Sequence, residues 1–231
     1  MLEPKHTIEL PGYYTNFQFY EGTIYLVPFN GKSITKIDSN GNIANFPVTN
    51  EENYRIYEFR ITPFYFYLNT PAGIIKMHRT EGMAKGIYDG NITTFIITHS
   101  EEIVLADRLR NEIIFLDTGN KIRLKKKNIK VIDMDYYNER LYLLTPNSIF
   151  VFDEYGNRLE SIQTPESMKG ISAAEEICLF SSSSNIIYIW NGEWKRIELK
   201  YPVSYIQLNE VYLITLNQYG DCIYIYDKSE L

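Results

Sequence analysis

The side chains that most often carry catalysis are sparse in this chain. Three histidines occur, His6, His78 and His99. A nucleophile–histidine–carboxylate set is recognised by geometry, since its members need not be sequence neighbours, and nothing in the sequence nominates partners for these three. The serine run Ser181 to Ser184 lacks the flanking glycines of a strand–turn–helix nucleophile elbow and reads as a polar loop. Two cysteines, Cys178 and Cys222, are too few for a cysteine-based zinc site or a disulfide-dense scaffold. One bridge or two buried thiols remain, and the lack of a secretory signal favours the thiols. Gln18, Glu58, Asp133 and Gln207 interrupt otherwise apolar segments. Calcium takes ~6–8 oxygen ligands, so one Asp and one Glu are too few, and water-bridged lining residues are expected instead. The expectation is no catalytic residue, no metal ligand and no cofactor.

The elements that would carry these residues follow from an internal repeat. Its clearest copy runs Leu141-Tyr142-Leu143-Leu144-Thr145, then Ile149-Phe150-Val151-Phe152-Asp153, then a turn through Gly156. Equivalent strands begin at Ile34, Ile74, Ile113, Ile149, Ile187 and Ile223. Each ends four residues later in a polar residue: Asp38, His78, Asp117, Asp153, Asn191 and Asp227. Glycines at 41, 82, 119, 156 and 192 follow, as tight hairpin turns demand. Apolar runs such as Ile113-Ile114-Phe115-Leu116 are nearly continuous and imply burial on both faces.

A repeat of this length built only from strands predicts an all-β, six-bladed β-propeller with four-stranded blades. The last copy stops after its third strand. Thr7-Ile8-Glu9-Leu10 matches the outer strand Arg196-Ile197-Glu198-Leu199 in pattern, so the N-terminal strand is expected to close the ring in the last blade and cover its edge. The reading is one domain over 1–231. Residues 5–11 form the outer strand of the last blade, and the blades span about 12–50, 51–90, 91–128, 129–165, 166–200 and 201–231.

The balance of the chain bounds its partners. Twenty Tyr and 12 Phe suit half-buried pleated surfaces. A net charge of −6 argues against nucleic acid, which needs a basic footprint. No run approaches ~18 apolar residues, so direct membrane insertion is not expected. Residues Met1 to His6 carry no apolar core of a signal peptide; a removed leader would favour a periplasmic, cell-surface or secreted location.

Ala106-Asp107-Arg108-Leu109-Arg110-Asn111-Glu112-Ile113-Ile114-Phe115-Leu116-Asp117 resembles the NHL repeat, in which an Ala-Asp, an Asn-rich turn and an Ile-x-Val-Phe-Asp strand recur. Elsewhere Pro28, Asn69, Thr145, Ser181 and Thr215 stand in place of Asp107, so the resemblance covers one blade well and the others as architecture. It implies a six-bladed propeller of the NHL or TolB-like kind, a class that mostly serves as binding platforms. Some relatives are calcium-dependent lactonases or esterases.

Lys121, Arg123, Lys125 and Lys127 alternate onto one face of an outer strand, where charge resists edge-to-edge aggregation; an acidic partner docking on this rim is the lesser reading. The loops between second and third strands, and the link Asn50 to Tyr54, are longer and more varied than the other connections. Binding residues concentrate on such loops, and large aromatic or Arg side chains anchor interfaces. Phe29, Tyr54, Arg108, Arg110 and Tyr219 are therefore the expected partner-binding residues. The functional expectation is a non-enzymatic binding module, monomeric as an isolated domain. It would be a protein–protein scaffold in a bacterial envelope or secretion-type assembly. The alternatives are a propeller-fold hydrolase or lyase and a carbohydrate-binding lectin.

Overall fold

In the computed structural model, residues 1–48, 55–181 and 184–231 are described. A short first strand, β1 (His6–Glu9), precedes two four-stranded antiparallel sheets. The first holds β2 (Tyr14–Tyr20), β3 (Thr23–Pro28), β4 (Ser33–Ile37) and β5 (Ile43–Pro47). The second holds β6 (Glu58–Ile61), β7 (Tyr65–Thr70), β8 (Gly73–His78) and β9 (Ala84–Asp89). Two more follow: β10 (Ile92–Ile97), β11 (Ile103–Asp107), β12 (Glu112–Leu116) and β13 (Ile122–Lys126), then β14 (Asp133–Tyr137), β15 (Arg140–Leu144), β16 (Ser148–Asp153) and β17 (Arg158–Gln163). The remaining strands are β18 (Gly170–Ala173), β19 (Ile177–Phe180), β20 (Ser184–Trp190), β21 (Trp194–Leu208), β22 (Tyr212–Asn217) and β23 (Cys222–Asp227). The chain packs as two compact units, residues 12–92 and residues 1–11 with 93–231.

Within the four-stranded sheets the second and third strands are the most buried. Every residue of β11 and β12 is buried, whereas the outer β13 is largely exposed. This is what Ile/Val/Leu/Phe runs require, because both faces of a middle strand lose water. In the 12–92 unit, Val27, Ile34, Phe59, Phe66 and Leu68 form one core cluster. Truncating a buried Phe such as Phe66 to Ala costs roughly 3–5 kcal/mol. In the other unit, Cys178 and Cys222 are free thiols buried in a single apolar cluster. Burial pushes the Cys178 thiol well above its ordinary pKa.

Six separate sheets were expected; the structure differs. The last strands form one seven-stranded sheet in the order β1-β23-β22-β21-β20-β19-β18. The cause is β21, whose first half pairs with β20 (Trp190↔Trp194 to Ile186↔Glu198) and whose second half pairs with β22 (Val203↔Asn217 to Leu208↔Leu213). Residues 199–202 bulge between the halves instead of turning. The Asn185 amide donates to the Leu199 carbonyl at 3.1 Å, while Leu2 exchanges backbone bonds with this stretch: Leu2 N–H to the Glu198 carbonyl at 2.7 Å and Lys200 N–H to the Leu2 carbonyl at 2.9 Å. With its polar groups satisfied in place, the link stays extended.

The N-terminal strand sits where its pattern predicts. β1 pairs antiparallel with β23, His6 opposite Ile225 through Glu9 opposite Cys222. A 2.9 Å ion pair joins Lys5 to Asp227 beside the ladder. β13, the lysine-rich strand, is the edge of its sheet, with Arg123 bridging Glu102 at 2.8 Å and the Glu154 carbonyl at 2.7 Å.

Candidate functional site

The recurring polar residue is a turn-former at the ends of β4, β8, β12 and β16. Asp38 Oδ1 accepts the N–H groups of Asn40 and Asn42, both at 2.9 Å. Asp117 and Asp153 accept those of Lys121 at 2.8 Å and Asn157 at 2.7 Å. The Asn42 side-chain and backbone hydrogen bonds hold the Asp38 carboxyl below its ordinary pKa. His78 takes the same post: its Nδ1 accepts the Glu81 N–H at 3.3 Å, and its ring stands edge-on to Tyr65. The left-handed turn residue is glycine at 41, 82, 156 and 192, but in the third copy Asn120 (φ 62°) takes that conformation instead of Gly119. Asn tolerates it through local hydrogen bonding.

The polar side chains of the first strands are committed to neighbouring first strands. In the 12–92 unit, Gln18 Oε1 on β2 accepts the Ile61 N–H of β6 at 3.0 Å. In the other unit, Asp133 on β14 accepts the Met134 N–H at 2.9 Å and the Thr94 hydroxyl of β10 at 3.3 Å through Oδ1, and the Ile171 N–H of β18 at 3.0 Å through Oδ2. Asp135 Oδ2 accepts the Ala173 N–H at 2.9 Å and the Ser172 hydroxyl at 3.1 Å, and Ser172 Oγ accepts the Leu208 N–H of β21 at 2.9 Å. Side chains thus occupy part of the otherwise unpaired edge of β6, β18 and the second half of β21, where an open row of N–H groups would invite foreign pairing. Gly170 permits the approach: a Cβ there would fall 3.1 Å from Asp133 Oδ2 and collide with the Phe180 ring.

These bonds give Asp133 and Gln18 structural roles. Glu58 pairs with Arg60 at 2.6 Å. Among the described residues no three His, Cys, Asp or Glu side chains gather as a metal would require. His99 packs edge-on against Tyr136 at 5.3 Å. Burial, and then its hydrogen bond to Glu154, push the Tyr136 phenol to about 12.

Four of the five expected binding residues occupy topologically equivalent loops, between second and third strands. Phe29 follows β3, is 66 % exposed, and carries the Arg55 guanidinium 5.3 Å from its ring centre. Arg108 and Arg110 follow β11 and are exposed beside Leu109. Tyr219 follows β22 and is 69 % exposed. Tyr54 lies outside the described residues. After β7, β11 and β22 a residue closing the second strand shapes the loop, and the sequence motif pointed to only one of the three. Buried Asp107 accepts the Leu109 and Arg110 N–H groups, both at 3.0 Å, and pairs with the Arg110 guanidinium at 2.8 Å. Asn217, not Thr215, does this after β22, its Oδ1 accepting the N–H groups of Gly220, Asp221 and Cys222. After β7 it is Thr70, not Asn69, whose hydroxyl bonds across the turn to the Gly73 carbonyl. The available signal was a capping Asp, Asn or Thr immediately before the loop.

Four four-stranded antiparallel sheets in sequence, and a seven-stranded sheet that takes in the N-terminal strand, define an all-β, propeller-type arrangement of blades. Solved structures carry the same fold. Virginiamycin B lyase from Staphylococcus aureus, in a catalytically inactive form with quinupristin, superposes with a TM-score of 0.69 at 12 % identity, covering 90 % of this chain and 78 % of its own. PorZ, a bacterial surface component of the type-IX secretion system of Porphyromonas gingivalis, gives 0.66 at 11 %, covering 92 % and 30 %. BBS1N, crystallised in complex with ARL6DN, gives 0.68 at 11 %, covering 92 % and 76 %. Such identities speak for the fold alone. No protein-family model matches the chain, and no curated protein matches it.

Proposed function

We propose that this chain is a non-enzymatic interaction module: one six-bladed β-propeller domain in which the seven-stranded sheet is blades five and six joined through β21, and β1 closes the ring. The NHL-like stretch from Ala106 to Asp117 supports kinship with NHL-type propellers. A protein partner docks on the loops between second and third strands. One observation carries this reading. Asp133, Asp135, Ser172 and Gln18 spend their hydrogen-bonding capacity on backbone N–H groups and neighbouring hydroxyls, while Phe29, Arg108, Arg110 and Tyr219 stand exposed on shaped loops. The likeness to PorZ, a secretion-system surface component, and to BBS1N, solved in a complex, supports a scaffold role, with a bacterial envelope or secretion-type assembly as its setting. A lyase is the second reading, because virginiamycin B lyase shares the fold. Against it, His78 and His99 are held in turn and ring contacts.

The test is to identify a partner by affinity capture, then titrate it with Ala variants at Phe29, Arg108, Arg110 and Tyr219. Interface anchors cost ~2 kcal/mol or more of affinity, while exposed loop changes alter stability by no more than about 0.5 kcal/mol. Substitutions at Glu21 and Glu210, on turns between first and second strands, serve as controls. Losses confined to Glu21 and Glu210, or to the Lys125–Lys127 rim, would overturn the assignment.

A further inference from the structure

A surface cleft of about 510 Å³ opens where three segments of the 1–11 and 93–231 unit meet. Glu9 and Leu10 at the end of β1 form one wall, Tyr201 and Pro202 of the β21 bulge a second, and the β22–β23 loop with Cys222 and Tyr224 a third. Its make-up follows from the fold. The bulge that keeps β21 continuous brings Tyr201 onto Tyr224, the rings stacked with centres 4.3 Å and planes 12° apart. Asn217 clamps the loop backbone, so Tyr219 is held out on the rim at 69 % exposure.

The chemistry of the lining is one-sided. It contains two carboxylates, Glu9 and Asp221, three tyrosines, and no Lys, Arg or His. Asp221 Oδ1 accepts the Asn217 amide at 2.7 Å, and the chain as a whole carries a net charge of −6. Nearby Lys200 does not line the cleft: its ammonium pairs with Glu3 at 2.8 Å and lies 5.5 Å from the Tyr201 ring centre, so the aromatic face offered to a further cation is that of exposed Tyr219. A cation meets both attractions here, Coulombic from the carboxylates and quadrupolar from an exposed aromatic face.

We propose that this cleft receives a cationic side chain, Arg or Lys, presented by a protein partner, which rests on the protein-binding reading above. The full chain is titrated with Nα-acetyl-arginine amide and Nα-acetyl-lysine amide, and backbone resonances of Asn217 to Cys222 are followed by NMR. The expected result is saturable shifts there, weakened by added salt, with none from Nα-acetyl-glutamate amide or glucose. Glu9→Gln and Asp221→Asn should each weaken binding roughly three- to fivefold, the size of an exposed charge pair, and Tyr219→Ala by a similar factor. Glu9→Gln sits at the end of an exposed strand and guards against misfolding of the Asp221 variant. Tyr155→Ala, an exposed tyrosine that does not line the cleft, should change nothing. Equal shifts from the glutamate probe, saturation by glucose alone, or no shift at the lining would overturn the site. If Phe29→Ala, Arg108→Ala and Arg110→Ala, none of which line the cleft, leave a captured partner untouched while the arginine amide still binds, the loop interface falls and the cleft stands. An intact loop interface with an unresponsive cleft means the reverse.

Discussion

Replacing Asp133 by Asn separates a structural pin from a reactive carboxylate. The two side chains have the same shape, but the amide offers one acceptor where the carboxylate offers two. The Met134 N–H and Thr94 hydroxyl bond to one oxygen and the Ile171 N–H to the other, so in either orientation the new NH₂ group faces a donor. One charge-assisted hydrogen bond, worth about 1.5–3 kcal/mol, is lost. For a chain of this size each kcal/mol moves Tm by roughly 2–4 °C, so a fall of about 3–12 °C is expected in calorimetry. Amide exchange at Ile171, across the first strands, should accelerate more than at Leu143 in a middle strand. A variant whose Tm stays within about 1 °C of the parent, with Ile171 still protected, would refute the pinning argument and return Asp133 to the candidates for chemistry.

Deleting residues 1–10 should bare the outer edge of β23 and yield dimers or aggregates on size-exclusion chromatography with light scattering; a monomer with unchanged Tm would contradict the edge-covering role of β1. Lowering the pH should loosen β1. The Lys5 hydrogen bond, then those from Ser229, hold the Asp227 carboxyl down at about 2. A depressed carboxylate stabilises above its ordinary value near 3.8, and that contribution is lost as pH falls toward about 2. Exchange protection of β1 amides, corrected for intrinsic rates, should therefore decline across that window, and Lys5→Met should flatten the decline.

The third strands, the polar residue closing each, and the N-terminal strand were legible because each is local: an apolar run, a turn residue, a pattern match. What was not legible depends on distant partners. Nothing around Lys200-Tyr201-Pro202 announces a continuous β21, because the groups that keep it extended come from Leu2 and Asn185. Asp133 reads as a lining residue until Ile171, 38 positions later, is seen donating to it. Its strand also begins at Asp133, later than the apolar Val131-Ile132 suggests. The exposed loops were legible by length, but their shape was not. Asp107 is recognisable from its motif, whereas Asn217 and Thr70 perform the same duty without it.

The pairing of β1 with β23 also sets an order of assembly. His6 and Ile225 lie more than two hundred positions apart, and closing so long a loop costs about 5 kcal/mol in chain entropy. On a ribosome the first strand emerges early and must wait for nearly the whole chain before its partner exists. Until then β20, β21 and β22 are free to build their own ladder, since they are adjacent in sequence, while Leu2 and Ile8 stay in water. The joint at the termini is then the last ladder to form and the first to open, so limited proteolysis of a stressed sample should begin by trimming the N-terminal residues.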